Sequence, residues 1–543
     1  MWSVALWLPT LRYRTLSEMI LKRVRVLLRI GDTMRVLCCL LVLWSALLND
    51  AQAQTTRASE ADAIAAIKEL GGKVTSDEKN PARPIVGIDL SRQPVTDAGL
   101  VHLKNLTSLQ ELDLAGTEVT DVGLEHLKDL TNLQELNLLG TKVSDAGLVH
   151  LKGLTSLKNL SLGTQVTDAG LEHLKGLTSL QTLDLVGTKV TGTGLVHLNG
   201  LPSLQELTLY YTEVTDTGLV YLKGLTSLKN LSLSTQVTDA GLEHLKGLTS
   251  LQTLDLTGTK VTGPGLAHLK GLTSLQSLNL TAAKVTGAGM VHLKGLTSLK
   301  TLVLSLTKVT DVGLVQLKGL TSLQELNLFS TKVTSTGLVH LKGLPSLHTL
   351  SLFSTEVGDA GLVHLKGLTS LQSLNLGSTL VTDAGLVHLK NLTNLQTLSL
   401  GSGVTDAGLV YLKDLTSLQE LNLHSTDITD AGLVHLKGLT SLQTLDLGLT
   451  RVTHAGLVHL KGLTSLHTLN LSFTQVTDAG LEHLKGLTSL HTLDLSRAEV
   501  GDAGLVHLKG TTSLRILDLR GTSVTTAGVK DLQSALPKCK IIK

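Results

Sequence analysis

Two sets of titratable residues recur at fixed spacing along most of this sequence. A histidine occupies the fourth place in fifteen segments of the form Gly-Leu-x-His-Leu, one of which has Met in place of Leu, from His102 to His507. An aspartate stands shortly before that segment in thirteen places, as at Asp97 and Asp121. We call these sets the histidine column and the aspartate column. Imidazoles and carboxylates brought together could hold a metal ion or move protons in general acid–base catalysis.

Neither column has the partners that such chemistry needs. A metal site requires several clustered ligands, whereas each repeat offers one aspartate and one histidine without a paired cysteine. Tyr221, Gln316 and Tyr411 replace the histidine while the surrounding pattern persists. Phosphate-binding glycine loops and the usual hydrolase, zinc-protease and Cys-x-x-Cys motifs are missing. We therefore predict a protein that is not an enzyme and uses no metal or cofactor. A shared acid response of the histidines remains a hypothesis, because an ordinary imidazole pKa is about 6.5.

The elements that position both columns belong to one 24-residue unit, which recurs nineteen times from Ile85 almost to the C-terminus. Each unit opens with Leu-x-x-Leu-x-Leu, as at Leu109, Leu112 and Leu114, whose alternation predicts a short strand. A threonine that follows, such as Thr117, is predicted to bond backbone groups of the adjoining repeat. The next Thr-Asp predicts a helix start with Thr or Asp as the N-cap.

A glycine recurs at the end of the predicted helix and completes the unit. At Gly153, Gly176 and Gly247 we expect a left-handed helix cap. A fixed period in this range predicts an α/β solenoid in which each unit buries its apolar face against its neighbours. Helices need about twice the spacing of strands. We therefore predict a horseshoe with a parallel sheet on the concave face and short helices on the convex face.

This pattern resembles the leucine-rich repeat family over about five-sixths of the chain. The family motif L-x-x-L-x-L-x-x-N/C-x-L is met by Leu109, Leu112, Leu114, Thr117 and Val119, with Thr in place of the usual Asn or Cys. The segment Val-Thr-Asp-x-Gly-Leu is similar to the cysteine-containing, ribonuclease-inhibitor-like repeats of F-box-type receptors and to repeats of bacterial exported proteins. The resemblance implies protein recognition through the concave surface.

The two ends of the chain differ from the repeats. Val36 to Leu48 is an apolar run after Arg35 and before Ala51-Gln52-Ala53, which predicts a signal segment over 1–53 with cleavage after Ala53. An uncleaved anchor is the alternative, and residues 1–33 could reflect the choice of start codon. Residues 54–84 are predicted to form a helical N-terminal cap, residues 85–537 the solenoid, and residues 538–543 a closing strand.

Bulk composition limits the kinds of partner and the location that we expect. The 47 basic and 45 acidic residues give a formal charge of +2. We therefore expect no strong positive potential that would attract nucleic acid. Outside the N-terminal run only Cys539 remains, which excludes an intramolecular disulfide in the folded part. We expect a mature monomer without a membrane span, exported to the periplasm, cell surface or exterior of a bacterium. A cytoplasmic location is the alternative if the N-terminal segment is not a signal.

Candidate binding residues are those that differ between copies on the predicted concave face. Aromatic residues make up 2 % of the chain and are the preferred anchors of protein interfaces, so we select those that follow the strands. Glutamates before the strand centre add charge. The candidates are Tyr210, Tyr211, Phe329, Phe353, Glu111, Glu135, Glu206, Glu325 and Glu420.

The predicted function is a non-catalytic interaction scaffold that recognises a protein or surface ligand through the concave face. Two alternatives stay open. The chain could be a substrate adaptor of a ubiquitin ligase, of the F-box receptor kind, although residues 54–84 are too short for an F-box. It could also be a structural spacer in the cell envelope.

Overall fold

The computed structural model describes Trp44, residues 60–81 and residues 83–543. Apart from Trp44, the predicted signal segment therefore lies outside the described residues, as does its cleavage point at Ala53. Among the described helices, none combines the length and apolar character that a membrane crossing requires. Residues 60–69 are helical and precede the first strand.

The described residues contain one open sheet of twenty-one strands. Strand β1 (Lys73–Ser76) runs antiparallel to β2 (Ile85–Asp89), and every later strand is parallel to its predecessor. The register is constant, since Leu112 pairs with Leu136 and Leu136 with Leu160. Strands β3 to β21 are Glu111–Asp113, Glu135–Asn137, Asn159–Ser161, Thr182–Asp184, Glu206–Thr208, Asn230–Ser232, Thr253–Asp255, Ser277–Asn279, Thr301–Val303, Glu325–Asn327, Thr349–Ser351, Ser373–Asn375, Thr397–Ser399, Glu420–Asn422, Thr444–Asp446, Thr468–Asn470, Thr492–Asp494, Ile516–Asp518 and Lys540–Ile542.

Short helical turns return the chain to the next strand. The α-helical turns are Asp97–Leu100, Asp121–Leu124, Asp168–Leu171, Asp239–Leu242, Asp311–Leu314, Asp359–Leu362, Asp383–Leu386, Asp406–Leu409, Asp430–Leu433 and Asp502–Leu505, and the last helix is Thr526–Ala535. The 3₁₀ turns are Val101–Leu103, Glu125–Leu127, Gly147–Leu151, Glu172–Leu174, Gly194–Gly200, Asp216–Gly224, Glu243–Leu245, Pro264–Leu269, Gly287–Leu293, Val315–Gly319, Gly337–Gly343, Val410–Leu412, Val434–Leu436, Gly456–Leu460, Asp478–Gly486 and Val506–Leu508. The predicted solenoid of parallel strands and short helices is confirmed.

The core is a continuous aliphatic column. The strand leucines, the following valine and the helix leucines are buried in almost every repeat, for instance Leu136, Val143 and Leu148. Burial of one such side chain contributes about 1.5–3 kcal/mol to folding. Because each unit covers only its neighbours, this column extends with the number of repeats.

The left-handed position of each full-length repeat lies after the strand, which corrects the prediction of a left-handed helix cap. Gly153, Gly176 and Gly247 are not among the residues with positive φ. Positive φ occurs instead two residues after the strand-end leucine, for example at Gly116 (φ +69°) and Leu306 (φ +59°). The Leu306 amide donates to Phe329 O of the next repeat at 2.8 Å. The left-handed turn thus extends the backbone ladder beyond the sheet.

The buried threonine after this turn also differs from the prediction. Thr117 Oγ1 donates to Leu114 O at 2.7 Å, within its own repeat rather than to the adjoining one. This bond satisfies the carbonyl at the strand end, where the chain turns away from the ladder. In the short repeat at 228–250, Ser234 does reach the preceding repeat and donates to Thr212 O at 2.8 Å.

Candidate functional site

The aspartate column joins neighbouring repeats. Asp406 Oδ1 accepts from Thr429 N at 2.8 Å and its Oδ2 accepts from Thr429 Oγ1 at 2.6 Å. Thr429, rather than an aspartate, is the N-cap, and its hydroxyl accepts from Ala431 N. Twelve aspartates of the described chain make both bonds to the next repeat: Asp97, Asp121, Asp145, Asp168, Asp216, Asp239, Asp311, Asp359, Asp383, Asp406, Asp430 and Asp502. The predicted helix start is therefore confirmed with Thr as the N-cap. The bond from the aspartate to the next repeat was not predicted.

Close approach of the preceding repeat explains the glycine that recurs in Asp-x-Gly-Leu. A Cβ on Gly123 would lie 2.5 Å from Asp97 Oδ1 of the preceding repeat. Such a contact is too close for any side chain. The same holds where the preceding repeat has glycine in place of the aspartate, since a Cβ on Gly218 would clash with Gly192 Cα. The glycine is therefore required by close packing between repeats.

The hydrogen bonds also lower the pKa of three aspartates of the column, which are Asp168, Asp311 and Asp502. For Asp168, burial raises the pKa, but bonds from Thr191 and Thr193 outweigh it, so the pKa lies below its usual value. For Asp502, the hydroxyl and amide of Thr525 lower the pKa. These carboxylates are charged acceptors with structural partners.

The histidine column lies half-buried on the helical turns. Seven of its members have a buried Nδ1 without a hydrogen-bond partner among the described residues: His173, His197, His244, His292, His364, His459 and His483. Burial, together with the nearby Lys437, lowers the pKa of His459. The described residues contain no group of three or more His, Cys, Asp or Glu side chains placed to hold a metal ion.

The predicted glutamates all stand at the first residue of a strand, on the exposed side of the sheet. Glu111 and Glu135 are direct neighbours in register. With Asp89 and Asp113 they line a shallow pocket of about 410 Å³ at the N-terminal end. The Ser91 hydroxyl, the Ser91 amide and Lys73 lower the pKa of Asp89 to about 2.

The other three glutamates are separated from this pair and from one another. Glu206, Glu325 and Glu420 each lie between strands that begin with Asn or Thr. Asn230 Nδ2 donates to Glu206 Oε2 at 3.3 Å. The structure therefore divides the predicted acidic set into one pair and three single residues.

Tyr210 and Tyr211 form a ring pair after β7. Their ring centroids are 4.1 Å apart and the Tyr210 hydroxyl donates to the Tyr211 hydroxyl at 3.3 Å. Tyr211 has φ +56° and is 64 % exposed, so a large side chain occupies a strained left-handed position in solvent.

Phe329 and Phe353 form a second ring pair, five strands further along the solenoid. Their centroids are 5.4 Å apart and the ring planes are tilted by 44°. Both residues directly follow the strand-end leucine and are half-buried. The aromatic candidates thus make two separate patches.

Beside Phe353 lies a pocket that the sequence reasoning missed. It measures about 290 Å³ and is lined by Phe353, Asn375, Ser399, Asn422 and His424 with adjoining glycines and serines. The available signal was in the repeat at 395–417, which lacks one residue after its strand. The exposed Leu306 and Leu449, at left-handed positions like that of Tyr211, were also missed.

Comparison with protein families agrees with this geometry. A leucine-rich repeat profile matches residues 273–333. A second leucine-rich repeat profile matches residues 105–128, 247–269, 414–436, 462–485 and 486–508. The chain is a leucine-rich repeat protein. No curated protein matches this leucine-rich repeat chain in sequence.

Solved structures of other leucine-rich repeat proteins are similar to it. One from Leptospira interrogans is 22 % identical, with 82 % of this chain and 98 % of that chain covered and a TM-score of 0.45. An internalin from Listeria monocytogenes is 22 % identical, with 77 % and 92 % covered and a TM-score of 0.30. The Arabidopsis receptor kinase HAESA, in complex with a peptide hormone and a co-receptor, is 18 % identical, with 83 % and 80 % covered and a TM-score of 0.43.

Proposed function

We propose that this leucine-rich repeat chain is a non-catalytic scaffold that recognises a protein or surface ligand on the exposed face of its sheet. One observation carries the proposal. The aromatic and glutamate side chains that differ between copies lie on that face or in the turns beside it, whereas the aspartate column is occupied by bonds between repeats, as at Asp406 and Thr429. A specific partner could recognise the side chains that differ between copies.

The aromatic patches support the proposal energetically. Buried aromatic side chains dominate the binding energy of protein interfaces. In a chain with 2 % aromatic residues, two ring pairs stand at this face. Tyr211 retains a left-handed backbone that costs about 1–3 kcal/mol, and a binding role would explain the use of a large side chain there.

A capture experiment tests this function. The mature chain, immobilised as the wild type and as a Phe329→Ala, Phe353→Ala double variant, would be exposed to an extract of the native organism. We expect the double variant to retain less of the captured ligand, because truncation of two interface aromatics removes the contacts of a hot spot. A Val339→Ala variant on the helical side, where Val339 is exposed, is the matched control.

Equal capture by the wild type and by variants of Tyr211, Phe329 and Phe353 would contradict recognition on this face. It would instead favour the envelope-spacer alternative. A ligand that is lost only with Val339→Ala would move the interface to the helical side of the solenoid.

We further propose export after cleavage at Ala53, with a monomeric mature chain that binds no nucleic acid. The proposal rests on the apolar run and the small residues around the cleavage point. N-terminal sequencing of the mature protein tests it, and we expect Gln54 as the first residue. A mature protein that retains residues 34–53 in the cytoplasm would contradict export and favour the adaptor alternative.

A further inference from the structure

We infer that the pocket between Phe353 and His424 binds a neutral sugar unit of a glycan. This inference rests on the proposed function, since it specifies the chemistry of a surface ligand on the same face. The pocket holds about 290 Å³, just below the lower limit of about 300 Å³ for small-ligand sites. One or two sugar rings match that size.

Glycines of two consecutive repeats, Gly377 and Gly401, lie between the two walls of the pocket. The position directly after the strand-end leucine is Phe at 353, Gly at 377, Gly at 401 and His at 424. Three strand spacings of about 4.8 Å separate the two walls, or about 14 Å. Gly401 belongs to the repeat that lacks one residue, and a Cβ there would lie 3.1 Å from Ser378 N. Because Gly401 is buried and bears no side chain, its backbone forms this part of the floor.

The side chain of each wall also packs closely against a glycine of the following repeat. A Cβ on Gly377 would lie 2.7 Å from Phe353 Cδ2, so the Phe353 ring leans over that glycine. A Cβ on Gly448 would lie 2.7 Å from His424 Nδ1 on the opposite wall. Phe353 also packs against Phe329, which restrains its ring. The aromatic wall is thus preorganised to pack against the C–H face of a sugar ring.

The floor supplies uncharged hydrogen-bonding groups. Asn375 Oδ1 accepts from Gly377 N at 3.0 Å and Asn422 Oδ1 accepts from His424 N at 2.8 Å. Both Nδ2 groups, and the hydroxyl of Ser399 between them, have no hydrogen-bond partner among the described residues. Amide donors and a hydroxyl that both donates and accepts match sugar hydroxyls.

Charge distinguishes this pocket from the acidic one at the N-terminal end. The ionisable group on its wall, His424, faces Asp446, with 3.4 Å between His424 Nδ1 and Asp446 Oδ1. No lysine, arginine or carboxylate lines the pocket. An anionic sugar or an acidic peptide would find no free cation there, and a basic peptide no free carboxylate. A neutral ligand fits best.

Saturation-transfer NMR on the mature chain tests the inference, with glucose, galactose, mannose and N-acetylglucosamine as probes. We expect millimolar affinity for at least one of them, as small polar ligands usually reach. An Asn375→Asp, Asn422→Asp double variant keeps both Oδ1 acceptors and removes both amide donors. Asp446 makes the same turn bond to Gly448 N in its own repeat, so the fold should tolerate the change. We expect binding about tenfold weaker.

Phe353→Ala should weaken binding by about fivefold, since it removes the stacking wall. Two control variants lie outside the pocket and should leave affinity unchanged. Asn470→Asp keeps the bond to Ser472 N, and Phe473→Ala removes an exposed ring two repeats away from His424. Melting curves of all variants verify that the fold is retained.

Several results would overturn the inference. They are a wild type that binds none of the four sugars, a double variant with undiminished affinity, or tighter binding of galacturonate than of galactose. If the capture described above depends on Phe353 but no sugar competes with it, the pocket takes a protein side chain. The carbohydrate inference then fails while the proposed function stands. Sugar binding without any captured ligand supports the inference and removes only the protein-partner form of the function.

Discussion

Removal of one aspartate should loosen a single boundary between repeats. Asp406 bridges to Thr429 of the next repeat through two bonds, at 2.8 Å from the amide and 2.6 Å from the hydroxyl. Asp406→Ala removes both acceptors and leaves the Thr429 amide without a protein partner. Solenoid stability is a sum of repeat terms and nearest-neighbour interface terms, so the damage should stay near this boundary.

The magnitude follows from the two bonds. Hydrogen bonds to charged groups contribute about 1.5–3 kcal/mol each, but both residues are half-exposed and water competes for them. We therefore expect a loss of about 2 kcal/mol, or about 1 kcal/mol for each bond. Since 1.4 kcal/mol corresponds to a factor of about ten, amide exchange near Thr429 should accelerate about 30-fold.

Hydrogen–deuterium exchange of peptides that cover 425–433 is the direct assay, supported by urea denaturation. His454→Ala is the matched control, because His454 occupies the aspartate column and makes no such bond to Thr477 among the described residues. The reasoning is refuted if exchange at 425–433 is unchanged in Asp406→Ala. It is also refuted if His454→Ala lowers the urea midpoint as much as Asp406→Ala does.

Three further predictions concern stability. Gly385→Ala should destabilise the chain by about 1–3 kcal/mol, because the new Cβ would lie 2.5 Å from Asp359 Oδ1. Gly319 has open space around it, so Gly319→Ala should not destabilise the chain. The urea midpoints of the two variants test this difference. Leu306→Asn should stabilise by about 0.5–1 kcal/mol in thermal melts, since Asn tolerates the left-handed backbone better, and a lower melting temperature would contradict this. Burial lowers the pKa of His459, so the stability that the neutral ring provides is complete above its unfolded pKa of about 6.5 and is lost as pH falls through the folded pKa. His459→Gln should therefore melt at a higher temperature than the wild type at pH 5 but not at pH 8, and an identical pH profile for both would count against it.

The fold was predictable because the repeat itself encodes it. Leucines alternating at Leu112 and Leu114 face one side of a strand, and their recurrence every 24 residues forces neighbouring units to bury them together. Backbone detail was less predictable. Gly153 and Gly116 are both glycines at a turn, and only the structure shows that Gly116 is the left-handed one.

The candidate site was predictable only in part. Phe329 and Phe353 were selected because an aromatic residue is rare here, and the structure places their rings 5.4 Å apart. The nine predicted residues nevertheless fall into separate patches, because residues many repeats apart cannot meet in a solenoid. The pocket beside Phe353 depends on Asn375 and Asn422, which look like ordinary residues of the repeat in the sequence.

The sequence alone determined the architecture, the aliphatic core and the positions where copies differ, because all three follow from a short-range period. Tertiary structure decided what the recurring polar residues do. Asp406 and Thr429 are 23 residues apart in the chain and adjacent across a repeat boundary, so a bond between them is invisible within one unit. In the same way, only the stacking of neighbouring repeats determines that Phe353, Gly377, Gly401 and His424 enclose a pocket.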